Sequence, residues 1–147
     1  MSQFSGFAPE ELQGKPRAQS PWAADQVIQA ARASRHLRMD VQVSFSGVSA
    51  WPYLYPSPQR PDGLIKEAFD ELAYLWRPIL NAHKTSGVDY AFDLHPGEGL
   101  MDGVSFERFL DAVGGHSRIG MNYDPSHFLL QQMDYLGSGP FAFRPMP

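Results

Sequence analysis

An α/β fold with about three parallel strands flanked by helices is predicted by three observations on this chain. Apolar runs of strand length alternate with longer segments of helical periodicity. Each run stops at glycine, proline or a polar cluster. Two of the runs release acid and imidazole side chains where they stop, in Asp93-Leu94-His95-Pro96-Gly97-Glu98 and in Asp124-Pro125-Ser126-His127. In a parallel α/β protein the carboxyl ends of the strands line one face, so groups released there are expected to converge on one crevice. Acid and imidazole groups from two such ends point to a metal-centred site.

Residues 1–20 are polar and punctuated by Gly and Pro, and are expected to be irregular. Ser20-Pro21 offers an N-cap followed by proline at the first helical position, so a helix is predicted from there to about Leu37, with Trp22, Val27, Ile28, Ala31 and Leu37 mostly on one face. Val41-Gln42-Val43-Ser44-Phe45 alternates as a strand does, and Ser46-Gly47 ends it. Trp51-Pro52-Tyr53-Leu54-Tyr55-Pro56-Ser57-Pro58-Gln59-Arg60-Pro61 sets three aromatics among four prolines, which excludes a central strand or a helix interior. It reads as a long loop, either a rigid surface connection or an aromatic wall over a ligand pocket.

Helical periodicity returns from Gly63 to about Ser86, with Leu64, Ala68, Leu72, Leu75 and Ile79 as the apolar stripe, a kink expected at Pro78 and a stop at Gly87. Val88-Asp89-Tyr90-Ala91-Phe92 fits a strand. Ser105, with Arg108 three residues on, is read as the cap of a short helix carrying Phe106, Phe109, Leu110 and Val113. Gly114-Gly115 is a turn and not a phosphate loop, because no strand leads into it and no Gly-Lys-Ser follows. A strand runs to Tyr123, and a helix starting near Ser126 carries Phe128, Leu129 and Met133. The main domain is therefore drawn over 21–136, with an irregular tail over 137–147. The order demands right-handed crossovers and a parallel sheet.

At 147 residues with 43% apolar content and no cysteine, the chain is sized for one domain without disulfides or a thiolate metal site. A net charge of −4 with scattered Lys and Arg argues against electrostatic nucleic-acid binding. No apolar run reaches the ~18 residues of a membrane span, and Met1-Ser2-Gln3-Phe4 has no signal-peptide character. A cytoplasmic location is the expectation.

The motifs Phe45-Ser46-Gly47, Trp51-Pro52-Tyr53, Pro58-Gln59-Arg60-Pro61, Trp76-Arg77-Pro78, His95-Pro96-Gly97-Glu98, Asp102-Gly103, Phe106-Glu107 and Tyr123-Asp124-Pro125-Ser126-His127-Phe128 carry a family likeness. Together they make a stretch, about residues 7–136, that resembles the sugar phosphate isomerase/epimerase family, the xylose-isomerase-like TIM barrels. The resemblance implies an incomplete (β/α)₈ barrel, in which this chain supplies roughly the third helix through the sixth strand. It also implies a divalent cation, manganese, magnesium or zinc, held by two glutamates, an aspartate and a histidine on successive late strands. Asp124 matches the aspartate ligand, and His127 matches a histidine that contacts substrate. Asp93 stands where the family has a glutamate, in a position combining ligation with acid/base work. The remaining histidine and glutamate ligands have no counterpart. His95, Trp51 and Tyr53 are the further substrate-binding candidates, and a sugar or sugar phosphate is the implied small-molecule partner.

The implied chemistry is proton transfer next to a sugar carbonyl, with a cation stabilising the enediolate and a carboxylate moving the proton. Two local alternatives stay open. Asp124 before proline also fits an Asx turn or helix N-cap, and His95 and Glu98 fit either outer contacts of a metal or caps of their own loop. His36, His83 and His116, at helix ends or in polar turns, are expected to be exposed or C-capping. Two functional expectations follow: a partial isomerase/epimerase, or a non-catalytic carbohydrate-binding or vestigial fragment. Exposed sheet edges further predict self-association.

Overall fold

A computed structural model describes residues 7–47, 61–127 and 129. Trp51, Tyr53, most of the aromatic and proline-rich loop, and the 137–147 tail lie outside the described residues. Within them a short 3₁₀ turn, Glu10–Leu12, leads into α1, Pro16–His36; then follow β1, Val41–Ser44, α2, Leu64–Ser86, β2, Asp89–Asp93, α3, Gly103–Val113, and β3, Ile119–Asn122. The three strands form one sheet in the order β1-β2-β3, parallel throughout. This is the expected α/β layout, an open portion of a barrel wall with its helices.

α1 begins at Pro16, not at Ser20-Pro21. Pro16 takes the first helical position, where a missing N–H costs nothing. Ser20 does not cap: its hydroxyl donates back to the Pro16 carbonyl at 3.1 Å. Pro21 lies inside the second turn and forfeits one bond, to the carbonyl of exposed Arg17, where water can replace it. The Gln19 amide, donating to the Leu12 carbonyl at 2.9 Å, ties the preceding turn to the helix.

α2 runs unbroken through Pro78. The carbonyl that loses its partner belongs to Tyr74, which is 72% exposed, so the defect falls on the solvent side and no interruption follows. The buried face is Phe69, Leu72, Ala73, Trp76, Ile79, Leu80 and His83. This face is rotated from the predicted stripe, since Leu75 is 40% exposed. The periodicity was right and its phase was set by the aromatics. α2 ends as expected at Gly87, whose φ of 70° is left-handed, with Val88 N–H donating to the His83 carbonyl at 3.1 Å.

α3 starts two residues before the expected cap. Asp102 is the N-cap, its carboxylate accepting from Ser105 N–H at 2.7 Å, while the Ser105 hydroxyl accepts from Asp102 N–H at 3.0 Å. Ser105 is thus the inner partner of a reciprocal capping box.

Register places Gln42 beside Tyr90 and Ile119, and Val43 beside Ala91 and Gly120. Tyr90 and Phe92 therefore share one face, which packs on α2, with the Trp76 ring 4.7 Å from each ring centroid. Phe109 of α3 closes on Phe92 at 5.1 Å. The core is this helix-side layer, completed by Val27, Leu80, Leu94 and Leu100. The opposite face carries Val41, Val43, Asp89, Ala91, Asp93, Gly120 and Asn122, and its residues Val41 and Val43 are 42% and 50% exposed. Pleat alternation thus delivers Asp93, the last residue of β2, to the side away from the helices.

His83 is fully buried, contrary to the expectation of an exposed or capping histidine. Its ring nitrogens lie 3.0 Å from the Ile79 carbonyl and 3.1 Å from Gln42 Oε1, and its ring meets Tyr90 edge-on at 5.2 Å. Burial lowers its pKa from the ordinary 6.5, against the opposing pull of the Ile79 carbonyl. Among the described residues no helix is long and apolar enough to cross a membrane.

Candidate functional site

The carboxyl ends of the strands release three segments, and side chains lock them together. After β1, the Phe45 carbonyl accepts from the Tyr90 hydroxyl at 3.1 Å, and the Ser46 carbonyl accepts from Trp76 Nε1 at 3.0 Å. Tyr90 is so deeply buried that its phenol is held well above its ordinary pKa. It acts as a neutral donor. The Ser46 hydroxyl accepts from Leu100 N–H at 3.0 Å, and the Gly47 carbonyl accepts from Gly99 N–H at 2.6 Å. Gly99 is required there, because a Cβ would stand 2.8 Å from the Gly47 oxygen. The Glu98 carboxylate, only 9% exposed, accepts from Gly47 N–H at 2.7 Å. Burial raises the Glu98 pKa from its ordinary 4.5, and the Gly47 hydrogen bond only partly offsets this.

Glu98 does not cap its own loop as one reading expected: its carboxylate holds the segment after β1, with a partner fifty-one residues away in the chain. No local pattern could have revealed it. The only hint in the sequence is an acid flanked by Gly97 and Gly99 and followed by apolar Leu100-Met101.

His95 sits just beyond β2, its Nδ1 2.6 Å from the Pro96 carbonyl. A carbonyl can only accept, so Nδ1 carries the proton, and a neutral ring keeps its lone pair on Nε2. The His95 ring meets Phe45 at 5.2 Å and His127 at 4.3 Å, both edge to face. His127 Nε2 is 3.5 Å from Asp124 Oδ2. Residues from the ends of all three strands are thus joined: Phe45 from β1, His95 from β2, Asp124 and His127 from β3.

Asp124 also caps. Its Oδ1 accepts from Ser126 N–H at 2.8 Å and from the Ser126 hydroxyl at 2.6 Å, and a helical turn opens at Pro125. The Ser126 hydroxyl and amide, with lesser help from His127, hold the Asp124 pKa below its ordinary value. This is the N-cap geometry that the sequence left open beside the ligand reading. Asp93 is different. It pairs in register with Asn122, two residues before Asp124, and its Oδ1 is buried with no hydrogen-bond partner among the described residues. A buried carboxylate oxygen without a donor is costly unless a donor or cation arrives.

The donor chemistry of Asp93 and Asp124 suits a hard divalent cation. The placement does not complete a site: among the described residues no group of three or more His, Asp or Glu side chains is arranged to hold a metal ion. A separate groove of about 760 Å³ lies between the start of α2 and α3, lined by Lys66, Phe69, Arg108 and Asp111, and Asp93, His95, Asp124 and His127 are not among the residues that line it. The chemistry-bearing residues belong to the strand ends, and that groove is a feature of the helix layer.

A search of curated proteins finds no match to the chain. A family model described as xylose isomerase-like TIM barrel matches residues 3–144, nearly the whole length. That family includes sugar isomerases and epimerases and AP endonucleases, and divalent metals are often used in it. The parallel sheet with its helices on one face, and the convergence of polar residues at its carboxyl end, agree with the match, and the chain belongs to the xylose isomerase-like TIM barrel family.

Proposed function

We propose that this chain carries part of the active site of a sugar isomerase or epimerase that moves a proton next to a sugar carbonyl. The observation that supports this best is the junction of His95 and His127, with rings 4.3 Å apart, between the two strand ends that bear Asp93 and Asp124. In this reading Asp93 and Asp124 supply two carboxylates toward a divalent cation, manganese, magnesium or zinc, which when bound would polarise the sugar oxygens. His95 and His127 orient those oxygens, and the buried Asp93 Oδ1, unpartnered among the described residues, is the acceptor that would receive a cation or a proton. Trp51 and Tyr53 belong to the proposed substrate wall. The acidic balance of the chain, −4, favours a small sugar or sugar phosphate over a nucleic acid as its partner.

A second reading has its own support. On it the chain is a carbohydrate-binding or vestigial fragment without catalysis, and Asp124, whose Oδ1 is spent on the Ser126 amide and hydroxyl, supports it. Paramagnetic broadening separates the two. On the isomerase reading, Mn²⁺ selectively broadens the amide signals of Asp93 and Asp124, and Asp124→Ala abolishes the effect. Absent or uniform broadening leaves the non-catalytic reading in possession.

A further inference from the structure

The three residues that leave β1 have every backbone carbonyl taken, by the Tyr90 hydroxyl, the Trp76 indole and the Gly99 amide. Three of the four groups gripping Phe45–Gly47 by its backbone are neutral donors. The fourth is Glu98, an ionisable side chain 9% exposed, accepting from Gly47 at 2.7 Å. A carboxylate kept this dry is an expensive way to satisfy one amide, since a glutamine could accept the same bond without burying a charge. Stability alone therefore does not account for it. What the grip controls is nearby: Phe45 packs on His95, and His95 packs on His127.

We propose that Glu98 is a positioning residue for the ligand end of the sheet, its carboxylate latching Gly47 so that Phe45 stands against His95 and thereby sets the His95–His127 pair. The role in binding rests on the sugar-site reading given above; the latch itself does not. Among the described residues the ionisable groups that act on Glu98 are His95, which favours its charged form, and Tyr90, whose deprotonation its charge opposes. Because Tyr90 stays neutral and His95 favours the ionised carboxylate, the latch tightens as Glu98 loses its proton, a charged acceptor making the stronger bond.

The test is a pH titration of the whole chain by NMR. The Gly47 amide proton should move downfield with the ionisation of Glu98, and in Glu98→Gln it should stay flat while the Phe45–His95 ring contact persists. In Glu98→Ala, exchange of the Gly47 amide should rise about tenfold or more and the Phe45–His95 contact should vanish, with the Ala91 and Phe92 amides of β2 unchanged. Gly99→Ala should release Gly47 in the same way by steric force. A Gly47 amide that ignores Glu98 in the wild type overturns the latch even if the alanine variants do not fold. A titrating Gly47 without selective Mn²⁺ broadening at Asp93 and Asp124 keeps the latch and removes its part in ligand binding. Broadening with a silent Gly47 does the reverse.

Discussion

Asp93 and Asp124 show how one residue type takes opposite environments at neighbouring strand ends. Asp124 is partly exposed and spends Oδ1 on the Ser126 amide and hydroxyl, while Asp93 hides Oδ1 with no donor among the described residues. The buried titratable groups set a pH dependence whose sign can be worked out. His83 has a folded pKa lowered from 6.5, so below that pH the unfolded chain binds more protons than the folded one and stability falls on acidification. Glu98 has a folded pKa raised above 4.5, so just above that pH the folded chain binds more protons and stability falls as pH rises through the Glu98 titration. The two groups oppose each other. We expect the urea midpoint of His83→Gln to lose the decline that the wild type shows from about pH 7 to about pH 5. Glu98→Gln should gain most over the wild type at neutral pH, and this advantage should shrink toward about pH 4. A wild-type profile below 6.5 that His83→Gln leaves unchanged would refute the buried neutral state of His83.

Elements were legible in the sequence wherever the signal was local. The order of helices and strands, the parallel sheet and the stop at Gly87 follow from periodicity and from a glycine able to adopt φ of 70°. Starts and faces were less legible, because several residues could serve. Two prolines compete for the first turn of α1, and Pro16 wins by costing no hydrogen bond there. The buried face of α2 was misphased because Leu75 and Trp76 are adjacent and equally apolar; the indole takes the inner place, where its N–H finds the Ser46 carbonyl. His83 was misread because burial by Tyr90 and Gln42 comes from strands distant in sequence. For the site, the strand ends bearing Asp93, His95, Asp124 and His127 were visible as motifs, whereas the grip of Glu98 on Gly47 was not. At α3, Asp102 and Ser105 satisfy each other's amides reciprocally, so Asp102→Ala removes one acceptor and uncaps the helix. The expected loss is about 1 kcal/mol, read as a lower urea midpoint with an unchanged slope. Asp102→Asn should recover most of it. An alanine variant as stable as the wild type would mean that the capping box contributes nothing.

At the scale of the whole molecule, α1, α2 and α3 dress one face of the sheet, and among the described residues no helix covers the other. Among the described residues β1 and β3 each pair on one side only, and Val41 and Val43 leave 42% and 50% of their surface open on the helix-free face. Unpaired strand backbone beside exposed β-branched side chains is a template for another strand, and in a closed barrel further strands would cover both. We therefore expect the isolated 147-residue chain to self-associate in proportion to its concentration, with the contact made at β1. Val43→Lys should shift the light-scattering mass toward the monomer by placing a charge on that face. Tyr74→Lys is the control: Tyr74 is 72% exposed, but it belongs to α2 and lies outside that helix's buried face. If scattering fell equally for both variants, general surface hydrophobicity and not the strand edge would be responsible. A wild-type chain that stays monomeric across the concentration range would show that residues flanking β1 already shield its edge.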